Sequence, residues 1–500
     1  MRTRTLHGAP RWLLGLALWV AVDVARAEPP TREPSPTASE DEWGFGESTV
    51  SAPSVAAAQT HADEPAGSAW HVGGYVAVQS AFRLARSGPD VLGKLRQVLA
   101  PRLEYQAALG SRADLKLVLS GRGEADFAYL LRPDAYDQPT MELYGSQLIA
   151  GESYLSLFTK RLELAVGEQI VNFGQGEVLT LLDVVNPRDL REPLFTDLDQ
   201  IRLPVLMSRA TLAGDRVRAD LLAVHEPYFG LIPPPTGEFS PLRKLLLDAP
   251  LLGPILDRYE LGYQHLPRRS PLQHGVTQFH GQLGFHGARL DLTLQASSVF
   301  DALGVPGFPS LRAFLAPRVD LPSSHPRYTL LGHSGALGLG PVVLRWELAG
   351  ELKHALITRR DFHGLPLLSA ERFDLVRGLV GVTYVPNART NLGLEASQSV
   401  LLGHTSSALL FPVESTQLAL RFSQQLLRER AQLTCVLLWI GVTEFNAAAA
   451  RLELSYQLRD AVRLAAGAVG YLPSDHFGVF YGFERNHRAY LNLRWDFVVH

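Results

Sequence analysis

The chain has 500 residues, of which 46% are apolar and 19% are charged, and its formal net charge is -3. The charged share lies below the roughly 25% of ordinary soluble domains, and a slightly acidic chain argues against a nucleic-acid-binding protein, which needs a basic patch. The single cysteine, Cys435, excludes an intramolecular disulfide framework.

The first 27 residues have the organisation of a secretory signal peptide. Arg2, Arg4 and Arg11 precede a short apolar stretch at 12–22. Ala25-Arg26-Ala27 then provides the small-x-small pattern of a cleavage site. This stretch is about a dozen residues long, too short for a spanning helix, which needs roughly 20. We expect the exported chain to begin near Glu28. Removing four arginines and one aspartate, a net +3, would leave it at -6.

Residues 28–68 predict a disordered periplasmic tail. The segment is rich in Pro, Glu, Ser, Thr and Ala and poor in apolar residues, so it has little to bury. One interruption, Asp41-Glu42-Trp43-Gly44-Phe45-Gly46-Glu47, places two aromatic residues in acidic surroundings. This interruption is either a short partner-binding motif or a chance pair in a flexible tail.

From Trp70 onward the hydrophobic period is two, which is typical of β-strands. In one segment Leu99, Leu103, Tyr105 and Leu109 alternate with Arg102, Glu104 and Gln106. After the signal peptide, no apolar run is long enough for a spanning helix. We therefore predict that residues 69–500 form a single all-β domain.

Tight turns and longer polar or proline-rich loops alternate along this domain. The tight turns lie near Gly110-Ser111, Thr159-Lys160, Gly214-Asp215, Gly287-Ala288, Gly340-Pro341, Pro386-Asn387, Leu427-Arg428 and Arg459-Asp460. This order predicts a transmembrane antiparallel up-and-down β-barrel with its short turns in the periplasm and its long loops outside. The count predicts about 18 strands, each long enough to span a bilayer at a tilt. The region 255–277 could add or replace a hairpin.

A β-propeller or a β-sandwich is the competing fold. A propeller would show a recurrent motif every 40–50 residues or so, and the sequence has none. The predicted strands are too long and too numerous for a sandwich. The alternation therefore favours the barrel.

The chain ends in an alternating strand. Leu491, Leu493, Trp495 and Phe497 share one face, and polar residues share the other. This strand resembles the C-terminal signal through which the barrel-assembly machinery recognises outer-membrane barrels. It departs from that signal because Val498, Val499 and His500 follow the final aromatic residue.

The segment Leu162-Glu163-Leu164-Ala165-Val166-Gly167-Glu168-Gln169-Ile170-Val171-Asn172-Phe173-Gly174-Gln175-Gly176-Glu177 precedes Asn186-Pro187-Arg188-Asp189. A strand with Gly-x-Gln that leads into a long loop with Asn-Pro resembles a segment of poorly characterised proteobacterial outer-membrane barrels, similar in outline to alginate-export and substrate-selective porin barrels. The resemblance implies a channel. It covers about a tenth of the chain and assigns no substrate residue.

Charged side chains share one face of the predicted strands, and Leu, Val, Phe, Trp and Tyr share the other. Because lipid requires the apolar face, we expect the charged face to line the lumen. The candidate lumen-lining residues are Arg102, Glu104, Arg122, Glu124, Arg345, Glu347, Arg377, Arg421, Arg451 and Glu453. Both signs are present, so these side chains either brace the wall in pairs or line an aqueous path of weak charge selectivity.

Two long loops stand out. Residues 172–204 either fold into the lumen and narrow it or form an external cap. Residues 226–258 contain the apolar run from Leu245 to Leu252, which is unusual for an exposed loop. That run would be buried in the lumen mouth, against a partner, or at the membrane interface, and the sequence leaves all three open.

Motifs for enzymes and cofactors do not fit this sequence. Gly332-His333-Ser334-Gly335 lacks the final glycine of a nucleophile elbow. His274, His280 and His286 do not repeat a zinc-site spacing, and Gly174-x-Gly176 lacks the remainder of a phosphate loop. We expect no enzymatic activity, no cofactor and no metal. Cys435 alternates with apolar neighbours, so we expect it to face lipid.

The sequence therefore predicts an integral outer-membrane protein of a Gram-negative-type bacterium. Its expected function is a channel for uptake or export of a small or polymeric solute, with long external loops as candidate gates. The alternative is a structural or docking barrel in an envelope secretion, polysaccharide-export or motility complex. Expected partners are the outer-membrane bilayer, the barrel-assembly machinery, and periplasmic or surface proteins, but no nucleic acid.

Overall fold

A computed structural model describes most of the predicted barrel domain. The described residues are 69–85, 88–195, 198–234, 237–240, 243–244, 260–263, 275–302, 304–306, 318–321, 323–362, 365–403, 414–442, 445–473 and 479–499. The predicted signal peptide (1–27), the predicted tail (28–68) and the apolar run from Leu245 to Leu252 lie outside these residues.

The wall of the domain is one antiparallel sheet with 18 strand positions. In chain order, the strands are β1 (Ala69–Arg83), β2 (Leu92–Leu109), β3 (Ala113–Asp126), β4 (Ser146–Ala150 with Ser153–Phe158), β5 (Leu162–Gln169), β6 (Val205–Ala213), β7 (Val217–Val224), β8 (Gln278–His286), β9 (Leu290–Phe300), β10 (Arg327–Leu339), β11 (Val342–Phe362), β12 (Leu365–Asn387), β13 (Thr390–Leu402), β14 (Glu414–Leu426), β15 (Ala431–Ile440), β16 (Ala447–Arg459), β17 (Val462–Pro473) and β18 (Arg488–Val499).

The sheet closes on itself because β1 pairs with β18. Their register runs from Val72 opposite Val499 to Arg83 opposite Arg488. The wall has one break, at 151–152, where β4 divides into two segments that both pair with β3. Closure removes the sheet edges, so the backbone groups of the wall find partners within the wall, as a lipid environment requires.

Burial along the strands is inverted relative to a soluble sheet. In β13 the polar Asn391, Glu395 and Ser397 are buried, whereas Leu392 and Leu394 are exposed, Leu394 to 53%. The same reversal recurs around the wall, with exposed Leu, Val and Phe on alternate residues. An apolar outer face and a polar inner face are what a membrane-spanning barrel needs.

Eight short turns connect neighbouring strands at one end of the wall, at 110–112, 159–161, 214–216, 287–289, 340–341, 388–389, 427–430 and 460–461. Each lies where the sequence predicts a tight turn. Gly110 and Gly340 have φ values of 75° and 64°, which favour glycine because it has no side chain to clash. The wall therefore confirms the predicted barrel, its antiparallel order and its 18 strands.

The remaining elements are short and lie outside the wall. Glu260–Tyr263 pairs in parallel with Arg318–Leu321, and Val305–Pro306 pairs with Ser323–Ser324. The helical turns are Gly88–Val91, Phe127–Leu130, Pro133–Ala135, Gln138–Thr140, Met141–Gly145 and Leu198–Ile201. In the described part of the chain, none of the helices has the length and apolar character to cross a membrane. The region 255–277 adds no strand to the wall in its described part.

An arginine on the outer belt tests the inverted burial. Leu394→Arg would place a charge near the middle of β13 on the apolar face and should lower the free energy of unfolding by about 2–4 kcal/mol. Leu427→Arg, in an exposed turn, is the matched control and should cost at most about 1 kcal/mol. Urea unfolding of the protein refolded into lipid vesicles measures both. Equal losses would contradict the assignment of the outer belt.

Candidate functional site

The ten candidate lumen residues lie on the inner face of the wall. Arg102 and Glu104 are on β2, and Arg122 and Glu124 are on β3. The other six are distributed over four strands: Arg345 and Glu347 on β11, Arg377 on β12, Arg421 on β14, and Arg451 and Glu453 on β16. Most of them contact wall residues or the inward loops described below. Cys435 lies on the opposite, outward face and is a free thiol.

The connection from β5 to β6, residues 170–204, folds into the barrel and crosses its interior. It leaves the wall at Gln169, yet residues 177–179 contact Glu395 on β13. In a wall of 18 strands, β13 lies eight positions from β5, almost diametrically opposite. The sequence left open whether this connection folds into the lumen or forms an external cap. In the structure it folds into the lumen. We call residues 170–204 the inward loop.

Two buried glutamates of the wall hold the tip of the inward loop, residues 174–182, by its backbone. Glu347 accepts hydrogen bonds from the N–H groups of Gln175, Gly176, Leu181 and Leu182, at 2.5–3.0 Å. Glu395 accepts three more, from residues 177–179, at 2.5–3.1 Å. Hydrogen bonds to an ionised carboxylate are worth roughly 1.5–3 kcal/mol each. They also pair loop amides that would otherwise be buried without a partner.

The tip also packs by apolar contact. Leu179, Leu181 and Leu182 are buried against Leu330 of β10 and Leu379 of β12, with Ala349 and Ala419 beside them. Leu182 is completely buried. Two different forces therefore fix the same segment, because its side chains are removed from water while its amides are bound by wall carboxylates.

The Gly-x-Gly of the inward loop serves its tight fold. A Cβ atom at Gly176 would collide with the carbonyl oxygen of Leu179, and one at Gly174 would collide with the hydroxyl of Thr180. At Gly176 the obstacle is a backbone atom, so only glycine allows the chain to double back so closely there. The motif that could have suggested a phosphate loop is thus a consequence of the turn.

Glu177 lies between cationic wall residues. Its Oε1 accepts hydrogen bonds from Arg345 Nη1 at 2.8 Å and from Thr383 Oγ1 at 3.0 Å. Its Oε2 lies 3.9 Å from Arg421 Nη1. The loop and the wall therefore make two kinds of polar contact. Wall carboxylates bind the amides of the loop, and wall arginines bind its carboxylate.

The neck of the inward loop is closed by Asn186. Its side-chain amide donates to the carbonyl oxygens of Gln169 and Leu203, both at 2.9 Å, and its carbonyl accepts from the N–H of Val171 at 2.8 Å. These contacts join the residues where the loop leaves β5 and where it returns to β6. A buried asparagine with three backbone partners fixes the angle at which the loop enters the lumen.

The returning arm of the inward loop, residues 188–195, carries a network of ion pairs. Glu192 pairs with Lys94 and, at 3.3 Å, with Arg96, both on β2. Asp189 and Arg191 pair at 2.6 Å, and Arg191 reaches Glu124 of β3 at 2.9 Å. The arm is thereby attached near the loop end of the wall, at the opposite end from the short turns.

The acids of this arm are strongly stabilised in their ionised form. Burial alone would raise the pKa of Glu192, but the charges of Arg96 and Lys94 outweigh it and lower the pKa from 4.5 to about 2. Burial likewise opposes ionisation of Asp189, but Arg191 and Arg122 lower its pKa to about 2. Both groups therefore remain charged at neutral and mildly acidic pH.

A second connection, after β7, reaches the seam where the barrel closes. Glu238 pairs with Arg83 of β1 at 2.8 Å and with Arg488 of β18 at 2.7 Å. Burial opposes its ionisation, but Arg488 and Arg83 lower its pKa from 4.5 to about 2. The neighbouring Phe239 packs edge-on against Phe195 of the inward loop and against Phe483. The two loops thus meet in an aromatic cluster over the seam.

On β2 to β7, the part of the inner face nearer the short turns is more accessible to water than the face beneath the loop tip, whereas Lys94, Arg96 and Glu124 nearer the long loops are buried. Side chains of Arg102 and Lys116 keep 20% and 26% of their surface exposed, and Arg218 keeps 35%, whereas Glu347 has 0%. These accessible charges pair with acids such as Glu104 and Glu152. One side of the lumen is therefore wet, and the other is covered by the inward loop.

The residues considered for enzymatic or metal chemistry are held in structural contacts. Ser334 faces the interior and bonds Thr293 at 2.5 Å, while His333 on the opposite face accepts from the Trp346 indole at 3.2 Å. His280 bonds Ser297 at 3.1 Å. The described residues include no group of three His, Cys, Asp or Glu side chains arranged to hold a metal ion. His274 lies outside the described residues.

Several residues that hold the loops were not among the ten candidates. Glu177, Asn186, Glu238 and the seam arginines Arg83 and Arg488 lie in loops or at strand ends, where the alternation carries no signal. Glu395 is outside the ten, but the alternation of β13 already predicts that it faces inward. Asn186 stands in the Asn-Pro pair that the sequence comparison singled out, without a role attached.

Comparisons with known proteins give structural likeness only. No protein-family model matches the chain, and no curated protein matches it. Among solved structures, it is similar to Pseudomonas aeruginosa OccD3, at 9% identity over 87% of this chain and 94% of the other, with a TM-score of 0.47. It is similar to Pseudomonas aeruginosa OpdL, at 12% identity over 87% and 100%, with a TM-score of 0.45. Salmonella typhi OmpF follows at 8% identity over 86% and 97%, with a TM-score of 0.40.

The assignment rests on the chain's own geometry. The wall is closed without an edge, its outer face is apolar, and its inner face is charged and carries a loop folded into the lumen. A bilayer is the environment in which such a surface is stable, and the short turns and paired termini have the arrangement of bacterial outer-membrane barrels. The chain is an integral outer-membrane β-barrel protein with 18 strands in its wall.

Proposed function

We propose that this protein is an outer-membrane channel for uptake or export of a solute, in which the inward loop sets the width of the lumen. The observation that carries the proposal is the division of the interior: partly exposed, paired charges of β2 to β7, on the half of the wall nearer the short turns, face a wall covered by the tip of the inward loop. A barrel of 18 strands encloses an aqueous lumen unless loops fill it. The loop narrows that lumen and leaves one charged side exposed.

The charges of the accessible wall support a channel of weak ion selectivity. Arg102 pairs with Glu104 and Glu152, and Lys116 pairs with Glu104, each within 4 Å. Paired charges of both signs give no strong net field along the path, and a strongly selective pore would show one dominant sign. Small or polymeric solutes of either charge remain compatible with this wall.

The inward loop has the attachments of a gate. Its tip is held by hydrogen bonds and apolar contacts to the wall, without a covalent link, and both are reversible. Its neck, where Asn186 bonds Gln169 at the end of β5 and Leu203 just before β6, is far around the wall from the tip contacts on β11 and β13. The tip could therefore leave the wall while the neck keeps the loop in place.

Weakening the two tip carboxylates should open the channel. The double variant Glu347→Gln and Glu395→Gln replaces charge-assisted hydrogen bonds by neutral ones, each weaker by about 1 kcal/mol or more. We expect the ratio of open to closed time in planar-bilayer recordings to rise by at least about tenfold, since 1.4 kcal/mol already corresponds to a factor of ten. A variant with residues 174–182 replaced by a short Gly-Ser linker should give the largest conductance.

The matched control changes two inward glutamates that bind the wall. Glu104 pairs with Arg102 and Lys116, and Glu453 accepts from the Tyr490 hydroxyl at 2.7 Å. Glu104→Gln with Glu453→Gln should leave gating close to that of the wild type. Correct folding of every variant is verified by its heat-dependent gel mobility. Silence from the wild type and from the linker variant, both folded, would refute the channel and favour a docking barrel.

The ion pairs of the returning arm and of the second connection should remain intact in mild acid and break in strong acid. Glu192, Asp189 and Glu238 have pKa values lowered to about 2 in the folded protein. A lowered pKa stabilises the fold fully above the ordinary value near 4, and this contribution is lost as the pH falls toward 2. Hydrogen exchange in residues 188–195, corrected for intrinsic rates, should stay slow from pH 7 to 5 and rise below about pH 4.

Glu238→Gln is the control for that titration. It removes one acid of the second connection and leaves the Glu192 and Asp189 pairs intact. Exchange near 237–240 should then lose its dependence on pH, whereas exchange in 188–195 should keep it. A rise in exchange already between pH 7 and 5 would contradict the assignment of these acids as the attachments.

A further inference from the structure

The short-turn end of the wall carries an excess of exposed basic side chains. Between β2 and β9 these are Arg112, Lys160, Arg161, Arg216 and Arg289. Between β12 and β17 they are Arg389, Arg428, Arg430 and Arg459. We call these nine side chains the basic rim. At the same turns, the exposed acids are Asp215, Glu429 and Asp460. The described short turns are thus basic, although the whole chain has a net charge of -3.

The basic rim follows the circumference of the barrel. Of the eight short turns between described strands, only the one at 340–341 has no basic side chain within it or directly beside it. The bases are therefore spread around the wall at intervals of one hairpin. A globular partner would need such charges gathered on one patch, whereas a surface that surrounds the barrel would meet all of them.

The basic rim lies at the edge of the apolar outer belt. Leu109 precedes the turn of Arg112 by three residues and is 50% exposed, and Leu458 directly precedes Arg459 and is 48% exposed. Leu427, beside Arg428, is also exposed. At these three turns the base thus follows an exposed leucine at the end of the apolar belt. This is the depth at which long basic side chains keep their stems in the apolar layer and their charges among head groups.

Aromatic residues mark the same level. Trp70 is exposed at the start of β1 and lies against Tyr105, with ring centroids 4.4 Å apart. Trp495 and Phe497 near the end of β18 form a second pair, at 5.9 Å. Outer-membrane barrels carry aromatic girdles at the membrane–water interfaces. Their presence next to the short turns places the basic rim at the head-group layer.

We propose that the basic rim binds the phosphate groups of anionic phospholipids in the adjoining leaflet, the periplasmic one in the orientation that the sequence predicts. Arginine suits this role because its guanidinium can form two parallel hydrogen bonds to a phosphate, and eight of the nine side chains are arginine. The inference concerns the outside of the barrel and stands independently of any transport through the lumen.

Fluorescence quenching by brominated lipids tests this lipid preference. The protein is refolded into bilayers of zwitterionic lipid that contain brominated phosphatidylglycerol or, separately, brominated phosphatidylcholine. Trp70 and Trp495 lie near the basic rim and report lipid at this level. The relative binding constant should favour phosphatidylglycerol by on the order of fivefold in 50 mM salt, the effect of one basic side chain at an anionic surface. It should fall toward one in 0.5 M salt.

Variants of opposite sign make the test specific to the basic rim. Arg112→Gln, Arg216→Gln, Arg289→Gln, Arg428→Gln and Arg459→Gln together should remove most of the preference. Asp215→Asn, Glu429→Gln and Asp460→Asn at the same turns should keep or increase it. Heat-dependent gel mobility shows which variants are folded. If the basic variant fails to fold, the acidic variant and the salt titration of the wild type still decide the matter.

Four results would overturn the proposal. The wild type could show no preference for phosphatidylglycerol. The preference could be the same in the two sets of variants, or it could be insensitive to salt. Binding of soluble polyphosphate to the wild type without any lipid preference would also overturn it, and would assign the basic rim to a soluble anionic partner instead.

Discussion

The structure depends on one constraint: in a bilayer, each backbone N–H and C=O group of the wall must be paired within the protein. An open sheet would leave two edges unpaired, and the pairing of β1 with β18 removes them. Closure has a second consequence. Once the outer face is surrounded by lipid, it must be apolar, so the charged residues of each strand turn inward. The alternation of leucine with arginine and glutamate therefore follows from lipid on the outer side of the wall and water on the inner side.

An interior lined by charges has to be hydrated or paired, and this barrel does both. On β2 to β7, the charges nearer the short turns form pairs that remain accessible to water. From β11 to β14 the inward loop covers the wall and takes the place of water, since its amides satisfy Glu347 and Glu395 and its Glu177 satisfies Arg345. The two solutions divide the lumen into a wet side and a covered side.

The inward loop is held differently at its two levels. At the tip, wall carboxylates bind backbone amides, so the attachment depends on the path of the chain more than on its side chains. At the returning arm, side-chain acids such as Glu192 bind wall cations such as Arg96. The first kind of contact requires the tight Gly-x-Gly turn, and the second requires acids at defined positions. Together they hold a long connection in one place without a regular secondary structure.

The sequence by itself determined the barrel, its strands and its turns. A period of two, the turn residues and the length of each segment are local properties, so they can be seen without knowing which residues meet. It also predicted a charged inner face, including Glu347 and Arg345, because alternation assigns a face to every strand residue. It did not identify Glu177, Asn186 or Glu238 as residues that hold the loops, because irregular segments have no period.

Only the tertiary structure decided the path of the inward loop. Its tip bonds a residue 217 positions away along the chain, and no local pattern links Val178 to Glu395. The sequence showed that the loop is long and rich in leucine, which suits an internal or an external position equally well. The choice depends on seven amides meeting two carboxylates on two distant strands, β11 and β13, and that meeting exists only after the wall has closed.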